Sequence, residues 1–507
     1  MLAQRLFAAT RTVRKAAPKK QTRNVSTTRV TEFVEPLSNA ALSARTPLNV
    51  LPEQVPSPAG ILPAAANVSV TSAHGITFVT IDEPKPVTSM SLFVKAGSRY
   101  EDATSAGSAH FLKRLAFRST EKKYFYPLIL DVDKAGIEFE SAASREFVSY
   151  SLTGLRSDQS IMAETLGAVF QPRLEEFELE AVRSEVLSDI AVNATNGRET
   201  LLNAVHRAAF RDQGLSHSPL AESFEASSLS GSAIRQFVNT HYVPERMIVV
   251  ANGASIEEIK SHVDTFEPLD VKTIIADAIG PGLESYFPQL TPAAPIRDAK
   301  SVYTGGAEIR LPGSGATQIV VAGEGVGANQ GVSAQIAAAL LQTIVGGGSA
   351  GLYHLLPSFK QSRLAKEVAN STNGYLTYAE SFHLSYADAG LFGIFAHAEA
   401  GNVARVAETL AKQFQTLSVV SEAEVARAKQ QLKLNLYNTF AADAHALAEF
   451  YAAQASSSST STILTPTQFA AQIDTVDTAA VVAIAKKVAA SKLTVAALGD
   501  VKGLPKF

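Results

Sequence analysis

Residues 110–114 carry part of a metal-binding pattern at helical spacing. Zinc peptidases of the inverted type place H-x-x-E-H on a helix, where two histidines four residues apart share one face and bind the metal. The glutamate of the pattern activates the metal-bound water. In this chain the three positions are His110, Lys113 and Arg114. Only the first of the three groups that this chemistry needs is present.

The two replacements oppose that chemistry. An ammonium such as that of Lys113 has no lone pair to take a proton from water unless its pKa falls by several units. The guanidinium of Arg114 stays protonated in proteins and cannot bind a metal. Two fixed positive charges would also repel a dication in the same pocket. We therefore predict that this site performs no zinc-dependent hydrolysis.

The residues around the motif resemble a known family. Residues 107–120, GSAHFLKRLAFRST, are similar to the active-site helix of the M16 family, which includes the mitochondrial processing peptidase, insulysin-like proteases and the core proteins of the cytochrome bc1 complex. Residues 96–101, AGSRYE, resemble its A-G-S-R-x-E, and residues 144–147, SREF, resemble its T-S-R-E strand. Asp189 stands about where the family has its third ligand, a glutamate. The resemblance covers about residues 70–505.

The resemblance implies a degenerate site with no catalytic residue, no metal and no cofactor. A remnant of His110 and Asp189 supplies at most two ligands, whereas a catalytic zinc needs three and a water. We expect His110 to be a buried or hydrogen-bonded histidine, and the other nine histidines form no cluster at ligand spacing. We also hypothesise that Arg114 and Lys113 pair with Asp189 or Glu185, which would fill the former metal site with ion pairs.

A glycine-rich run, GGGSAGLY at residues 346–353, is a second candidate site. A phosphate-binding loop would end in G-K-[ST], but Leu352 and Tyr353 follow here, which disfavours nucleotide binding. Within the family the run resembles the glycine-rich loop of the non-catalytic processing-peptidase subunit, which handles presequences. It is much shorter than that loop and more like that of a bc1 core protein. The simplest interpretation is a flexible helix-to-helix connection.

Composition restricts the remaining possibilities. The chain has 507 residues and no cysteine, so a disulfide framework, a thiolate metal site and a cysteine nucleophile are all excluded. Residues 1–30 contain eight Lys and Arg and no acid, which is typical of a mitochondrial transit peptide. Without them 37 bases would face 48 acids, a net charge of −11. No run is long and apolar enough to cross a bilayer, and the charge suggests no nucleic-acid partner.

The pattern of strands and helices repeats in the two halves of the chain at an offset of roughly 230–245 residues. Each half has a β-rich run, a helical middle, a strand that passes into an amphipathic helix, and a final helix followed by an apolar strand. We predict an α+β fold made of two M16-type domains in tandem, each a mostly antiparallel sheet covered by helices. The expected segments are a transit peptide at 1–30, a proline-rich arm at 31–65, domains at 66–275 and 297–507, and a linker at 276–296.

The resemblance also implies a cellular role. We expect a non-catalytic structural subunit of mitochondrial ubiquinol–cytochrome c reductase (complex III), on the matrix side of the inner membrane and peripheral to it. Its expected partners are core protein 1, cytochrome b, cytochrome c1 and the Rieske protein. The alternative is the non-catalytic α subunit of the mitochondrial processing peptidase, which binds presequences. The acidic charge expected after removal of residues 1–30 suits either role.

Overall fold

Two six-stranded sheets carry the fold, one in each half of the chain. The computed structural model describes residues 67–169, 171–211, 213–266, 298–313, 315–349, 362–370, 375–457 and 463–505. The first sheet contains β1 (Asn67–Ala73), β2 (Ile76–Asp82), β3 (Val87–Val94), β4 (Glu138–Ala143), β5 (Val148–Leu155) and β6 (Met247–Asn252). The second contains β7 (Glu308–Pro312), β8 (Thr317–Glu324), β9 (Gly347–Ser349), β10 (Leu376–Ser385), β11 (Gly390–Ala398) and β12 (Thr494–Gly499).

The two sheets share a five-strand pattern. Their orders are β1-β2-β6-β3-β5-β4 and β7-β12-β8-β11-β10-β9. In each sheet one pair is parallel, β2 with β6 and β7 with β12, and the other pairs are antiparallel. Equivalent strands begin 230 residues apart for β3 and β8, and 247 apart for β6 and β12. The predicted tandem α+β repeat is confirmed.

Helices cover both sheets. In the first half they are α1 (Ser108–Leu115), α2 (Phe125–Lys134), α3 (Gln159–Val169), α4 (Glu176–Ala194), α5 (Gly197–Phe210), α6 (Ser223–Ser228), α7 (Gly231–His241) and α8 (Ile256–Lys260). In the second they are α9 (Val332–Val345), α10 (Arg363–Asn370), α11 (Val403–Gln415), α12 (Glu422–Ala442), α13 (Ala444–Ser456), α14 (Pro466–Thr475) and α15 (Thr478–Ala490). Ser421 starts α12 with a complete capping box, in which Glu424 bonds back to the backbone of Ser421.

One helix of each half packs against the sheet of the other half. Helix α5 packs Leu201, Val205 and Phe210 against the outer face of the second sheet. Helix α13 packs Leu447 and Tyr451 against the outer face of the first sheet. Strand β6 is therefore buried on both faces, which explains its unbroken apolar sequence, MIVVA. The exchange joins the two halves into one compact unit.

Several predictions lie outside the described residues. These are the transit peptide at 1–30, the arm at 31–65 and the linker at 276–296. The domain limits at 66–275 and 297–507 consequently stay predictions. No helix within the described ranges is long and apolar enough to cross a membrane.

Candidate functional site

The degenerate motif lies on α1, a short helix fixed at its N-terminus by a buried acid. The Glu101 carboxylate accepts the backbone N–H of Gly107 at 2.9 Å and that of Ala109 at 2.7 Å. Burial raises the pKa of Glu101 to about 8, although both N–H groups favour the ionised form. Gly107 has φ +88°, and a Cβ there would stand 2.8 Å from Ala221 Cβ, so glycine is required at this turn.

Packing fixes the rest of α1. Phe111, Leu112 and Leu115 are buried in the core of the first half. The helix contacts α4 and the edge strand β4. Ser141 of β4 donates its hydroxyl to the backbone oxygen of Lys113 at 2.8 Å. Because the apolar residues of α1 are packed in the core, the helix is fixed in an orientation in which His110 and Arg114 reach Asp189 of α4.

His110 and Arg114 of the motif belong to a network centred on Asp189 of α4. Arg114 donates two hydrogen bonds to this carboxylate, from Nε to Oδ2 at 2.7 Å and from Nη2 to Oδ1. His110 Nε2 lies 3.1 Å from the same Oδ2. Burial alone would raise the pKa of Asp189, but the bonds from Arg114 and His110 lower it below its ordinary value. The bidentate geometry is that of a strong arginine–carboxylate pair.

His110 is almost completely buried, with 1% of its surface exposed. Its Nδ1 accepts the backbone N–H of Ala221 at 3.3 Å, which places the ring proton on Nε2, facing Asp189. Burial lowers the pKa of His110 by more than the hydrogen bond with Asp189 raises it, and the charges of Lys113 and Arg114 also lower it. The ring is held neutral, with a proton on the nitrogen that faces the former metal position.

The predicted ion-pair cluster is confirmed for Arg114 and Asp189. Lys113 forms no ion pair within the described part of the chain, so its predicted pairing is not found. Burial lowers the pKa of Lys113, the charge of Asp189 opposes that shift, and the nearby Arg114 adds to it. Glu185 instead accepts Arg118 Nη2 at 2.6 Å. Arg118 follows Arg114 by one helical interval in the sequence, so this pair could have been considered from spacing alone.

The donor set does not fit zinc. Both oxygens of Asp189 are engaged by one guanidinium, and His110 Nε2 carries a proton rather than a free lone pair. Lys113 and Arg114 contribute positive charge where a metal site needs ligands. Within the described ranges, no three His, Asp or Glu side chains come together in a way that could hold a metal. The arrangement is that of a staple between α1 and α4.

Two other motif residues belong elsewhere. Arg99 and Glu146, from the segments that flank the motif in sequence, pair with each other, and Arg99 also pairs with Asp388 of the second half. Among the described residues, no hydrogen bond joins the side chain of Arg99 or Glu146 to Asp189. Sequence resemblance alone gave no sign of this, because Asp388 lies in a segment that matched no motif.

The glycine-rich run contains a short edge strand. Gly347–Ser349 lie between α9 and α10, as expected of a helix-to-helix connection, but they form β9, which pairs with residues 378–380 at the edge of the second sheet. Residues 350–353 of the run lie outside the described residues. Beside β9 is an open cleft of about 300 Å³. It is lined by Ala339, Gln342, Thr343, Gly346, Gly347, Tyr378, Glu380, Ser381, Gln431, Leu432 and Asn435.

Comparison with known proteins gives matches along most of the chain. Residues 77–223 match the insulinase (peptidase family M16) model, and residues 228–432 match the peptidase M16 inactive domain. The chain is 28% identical to mitochondrial-processing peptidase subunit alpha-2 of Dictyostelium discoideum, over 86% of this chain and 92% of that protein. It is 26% identical to cytochrome b-c1 complex subunit 2 of Mus musculus, over 85% and 89%.

A third relative is mitochondrial-processing peptidase subunit beta of Bos taurus, with 27% identity over 72% of this chain and 70% of that protein. The two family models follow one another along the chain, as the two sheets do. The α1–α4 site lies within the first matched segment, and all the lining residues of the cleft beside β9 except Asn435 lie within the second. The chain therefore belongs to the M16 peptidase family, as two M16-type domains in tandem.

Proposed function

We propose that this chain is a non-catalytic M16 protein that acts through assembly, as the core protein 2 subunit of mitochondrial complex III. The bidentate hold of Arg114 on Asp189 carries the proposal, because it uses the carboxylate that a metal would need. The neutral, Nε2-protonated His110 points the same way. A protein with this site supplies surface and scaffold, and its chemistry depends on its partners.

The proposed location is the matrix side of the mitochondrial inner membrane. Core protein 1, cytochrome b, cytochrome c1 and the Rieske protein are the proposed partners, and the chain itself would hold no redox group. Relatives named as complex III and as processing-peptidase subunits are about equally similar to it. The short glycine run favours the core protein role, because the α subunit of the peptidase is expected to have a longer loop there.

The alternative is the non-catalytic α subunit of the processing peptidase. The near-equal identity to the Dictyostelium discoideum relative supports it. In that role the chain would bind presequences for a catalytic β partner. The two roles predict different complexes, since one is bound to the membrane through its partners and the other is a heterodimer in the matrix.

Purification of a tagged chain at its native level, in mild detergent, separates the two roles. We expect cytochrome b and cytochrome c1 to copurify, together with antimycin-sensitive reduction of cytochrome c by ubiquinol. Recovery of a detergent-independent heterodimer that cleaves presequence peptides would overturn the core protein assignment in favour of the α subunit.

Zinc binding tests the non-catalytic part of the proposal separately. After incubation of the isolated chain with Zn²⁺ and gel filtration, we expect well under about 0.1 zinc per chain, because the ligands are occupied or protonated. The isolated chain should also leave a presequence peptide intact. Stoichiometric zinc together with phenanthroline-sensitive cleavage would overturn the proposal.

A further inference from the structure

Two hairpin turns face each other where the halves meet. Residues 144–147 join β4 to β5, after the pair Ala143–Val148, and residues 386–389 join β10 to β11, after the pair Ser385–Gly390. Both turns have four residues and occupy equivalent positions in the repeat. The third residue of each is an acid, Glu146 in the first turn and Asp388 in the second. The repeat therefore brings two carboxylates to one place.

Arg99 lies between the two acids. Its Nη1 is 2.5 Å from Glu146 Oε1 and 3.2 Å from Asp388 Oδ1, and its Nη2 is 2.8 Å from Asp388 Oδ2. The side chain of Arg99 is 4% exposed, and those of the two acids are 15% exposed. A single guanidinium in a largely buried position therefore bridges a carboxylate from each half.

The two carboxylates also hold backbone amides. Glu146 Oε1 accepts the N–H of Ala387, in the turn of the opposite half, at 3.0 Å. Asp388 Oδ2 accepts the N–H of Ser301 at 2.7 Å. Arg99 Nη2 also donates to the carbonyl of Ala299 at 3.3 Å. The first half thus hydrogen-bonds both to the second turn, at Ala387, and to the segment that leads into the second half, at Ala299.

Arg99 hydrogen-bonds to both acids, whereas Lys95 lies within electrostatic range of Glu146 without a hydrogen bond to it. Arg145, beside Glu146 in the first turn, donates instead to Asn203 Oδ1 at 2.7 Å and to the carbonyl of Leu215. The N-terminal residue of the second turn, Tyr386, is bonded through its hydroxyl to His206 Nε2 at 2.8 Å. His206 is buried and burial lowers its pKa, so it adds no charge near neutral pH. Without Arg99 the two carboxylates would repel each other across the interface.

We infer that Arg99 is a charge latch that fixes the two halves in one orientation by bridging Glu146 and Asp388. Loss of the guanidinium releases the second turn from the first half, because like charges then face each other at short range in a poorly solvated place. These contacts lie within one chain, so the latch does not depend on which complex the chain joins. It gives Arg99, in the AGSRYE segment, a mechanical role between the halves.

Hydrogen–deuterium exchange on the full chain tests the latch. In Arg99→Gln we expect the amides of Ala387 and Ser301 to exchange about tenfold or more faster than in the wild type, since their acceptors are displaced. Exchange within α1 should stay unchanged. Arg207→Gln is the matched control, because Arg207 pairs with Glu222 in a pair more than half exposed and away from the turns.

Adding Asp388→Asn to Arg99→Gln distinguishes a charge latch from a packing role. The double variant removes the repulsion while keeping a carbonyl acceptor for Ser301, so exchange should return to within about threefold of the wild type. Exchange that stays as fast as in the single variant would overturn the latch, and so would wild-type exchange in Arg99→Gln. If Arg99→Gln does not fold, Arg99→Lys serves instead. A lysine keeps the charge but lacks the paired N–H groups with which the guanidinium binds both oxygens of Asp388, so Ser301 should exchange at least about threefold faster than in the wild type. Wild-type exchange in that variant would equally overturn the proposal.

Discussion

The same arrangement of helix, helix and strand is filled by charges in the first half and left open in the second. In the first half α1 packs on α4 and β4, and in the second α9 packs on α12 and β10. A serine on each strand donates to the end of each helix, Ser141 to Lys113 and Ser381 to Gln342, both at 2.8 Å. Between α1 and α4 stands the Arg114–Asp189 pair, whereas the open cleft of about 300 Å³ lies beside α9 and α12.

The contrast separates scaffold from chemistry. The backbone contacts that place α1 and α9 are alike, so the fold does not require ions at this place. The charged side chains on α1 decide whether the space becomes a staple. The same arrangement of two helices and a strand surrounds an ion pair in the first half of this chain and an open cleft in the second.

Removal of Asp189 gives the most severe test of the comparison. Asp189→Ala leaves His110 and Arg114 without their shared acceptor and removes a carboxylate whose charge favours the charged form of Lys113. We expect a loss of about 2–3 kcal/mol in the free energy of unfolding, reduced from the value for a fully buried pair because Asp189 is partly exposed. Denaturant unfolding measures it. Asn435→Ala, in the cleft of the second half, is the control and should change stability by less than about 0.5 kcal/mol. Equal losses would break the comparison.

A larger side chain should destabilise the protein at the α1 position and leave its stability nearly unchanged at the α9 position. Ala109 on α1 is fully buried, so Ala109→Leu should cost about 2 kcal/mol through overpacking. Ala339 on α9 lines the open cleft, so Ala339→Leu should stay within about 0.5 kcal/mol of the wild type. Thermal or denaturant unfolding of both variants provides the measurement. A costly Ala339→Leu would mean that the cleft is not open space.

Arg114→Ala isolates the staple itself. Loss of its two bonds to Asp189 should cost about 1 kcal/mol, since the side chain is about one-third exposed and solvent screens the pair. Lys113→Met is the matched control on the same helix, with the same change in charge. It should change stability by less than about 0.5 kcal/mol, because Lys113 has no ion pair in the described residues, and its attraction to Asp189 is opposed by its burial and by the repulsion from Arg114. An unchanged melting temperature in Arg114→Ala would count against the staple.

The smallest effect should be the same in both halves. Ser141→Ala and Ser381→Ala each remove a hydroxyl that holds the end of a helix, and each should cost about 0.5–1 kcal/mol. The matched pair of unfolding curves tests whether the framework is shared. Losses that differ severalfold between the two would show that α1 and α9 are held in different ways.

Much of the fold could be predicted because its signals are local. The capping box at Ser421, the apolar stripe of α11 and the repeated succession of strands and helices along the chain are set by residues close in sequence, and each is present in the structure. The exchange of α5 and α13 could not be predicted. An apolar helix face shows that something covers it, but it does not show which half of the chain supplies the partner.

The site divides in the same way. From the sequence it was possible to predict that Lys113 and Arg114 oppose zinc chemistry, because the reason lies in the side chains themselves. Which acid would pair with which cation depended on the crossing of α1 and α4. In the structure Asp189 forms an ion pair with Arg114, and Glu185 forms one with Arg118.

Sequence by itself therefore determined the family, the repeat and the loss of the metal ligands, because composition and short-range spacing are enough for these. Tertiary structure alone decided the proton position on His110, through the N–H of Ala221, and the partners of Arg99 in two distant turns. These depend on contacts between segments that lie 47 to 289 residues apart in the chain. Distances of that kind are set by the packing of whole elements, which no local pattern encodes.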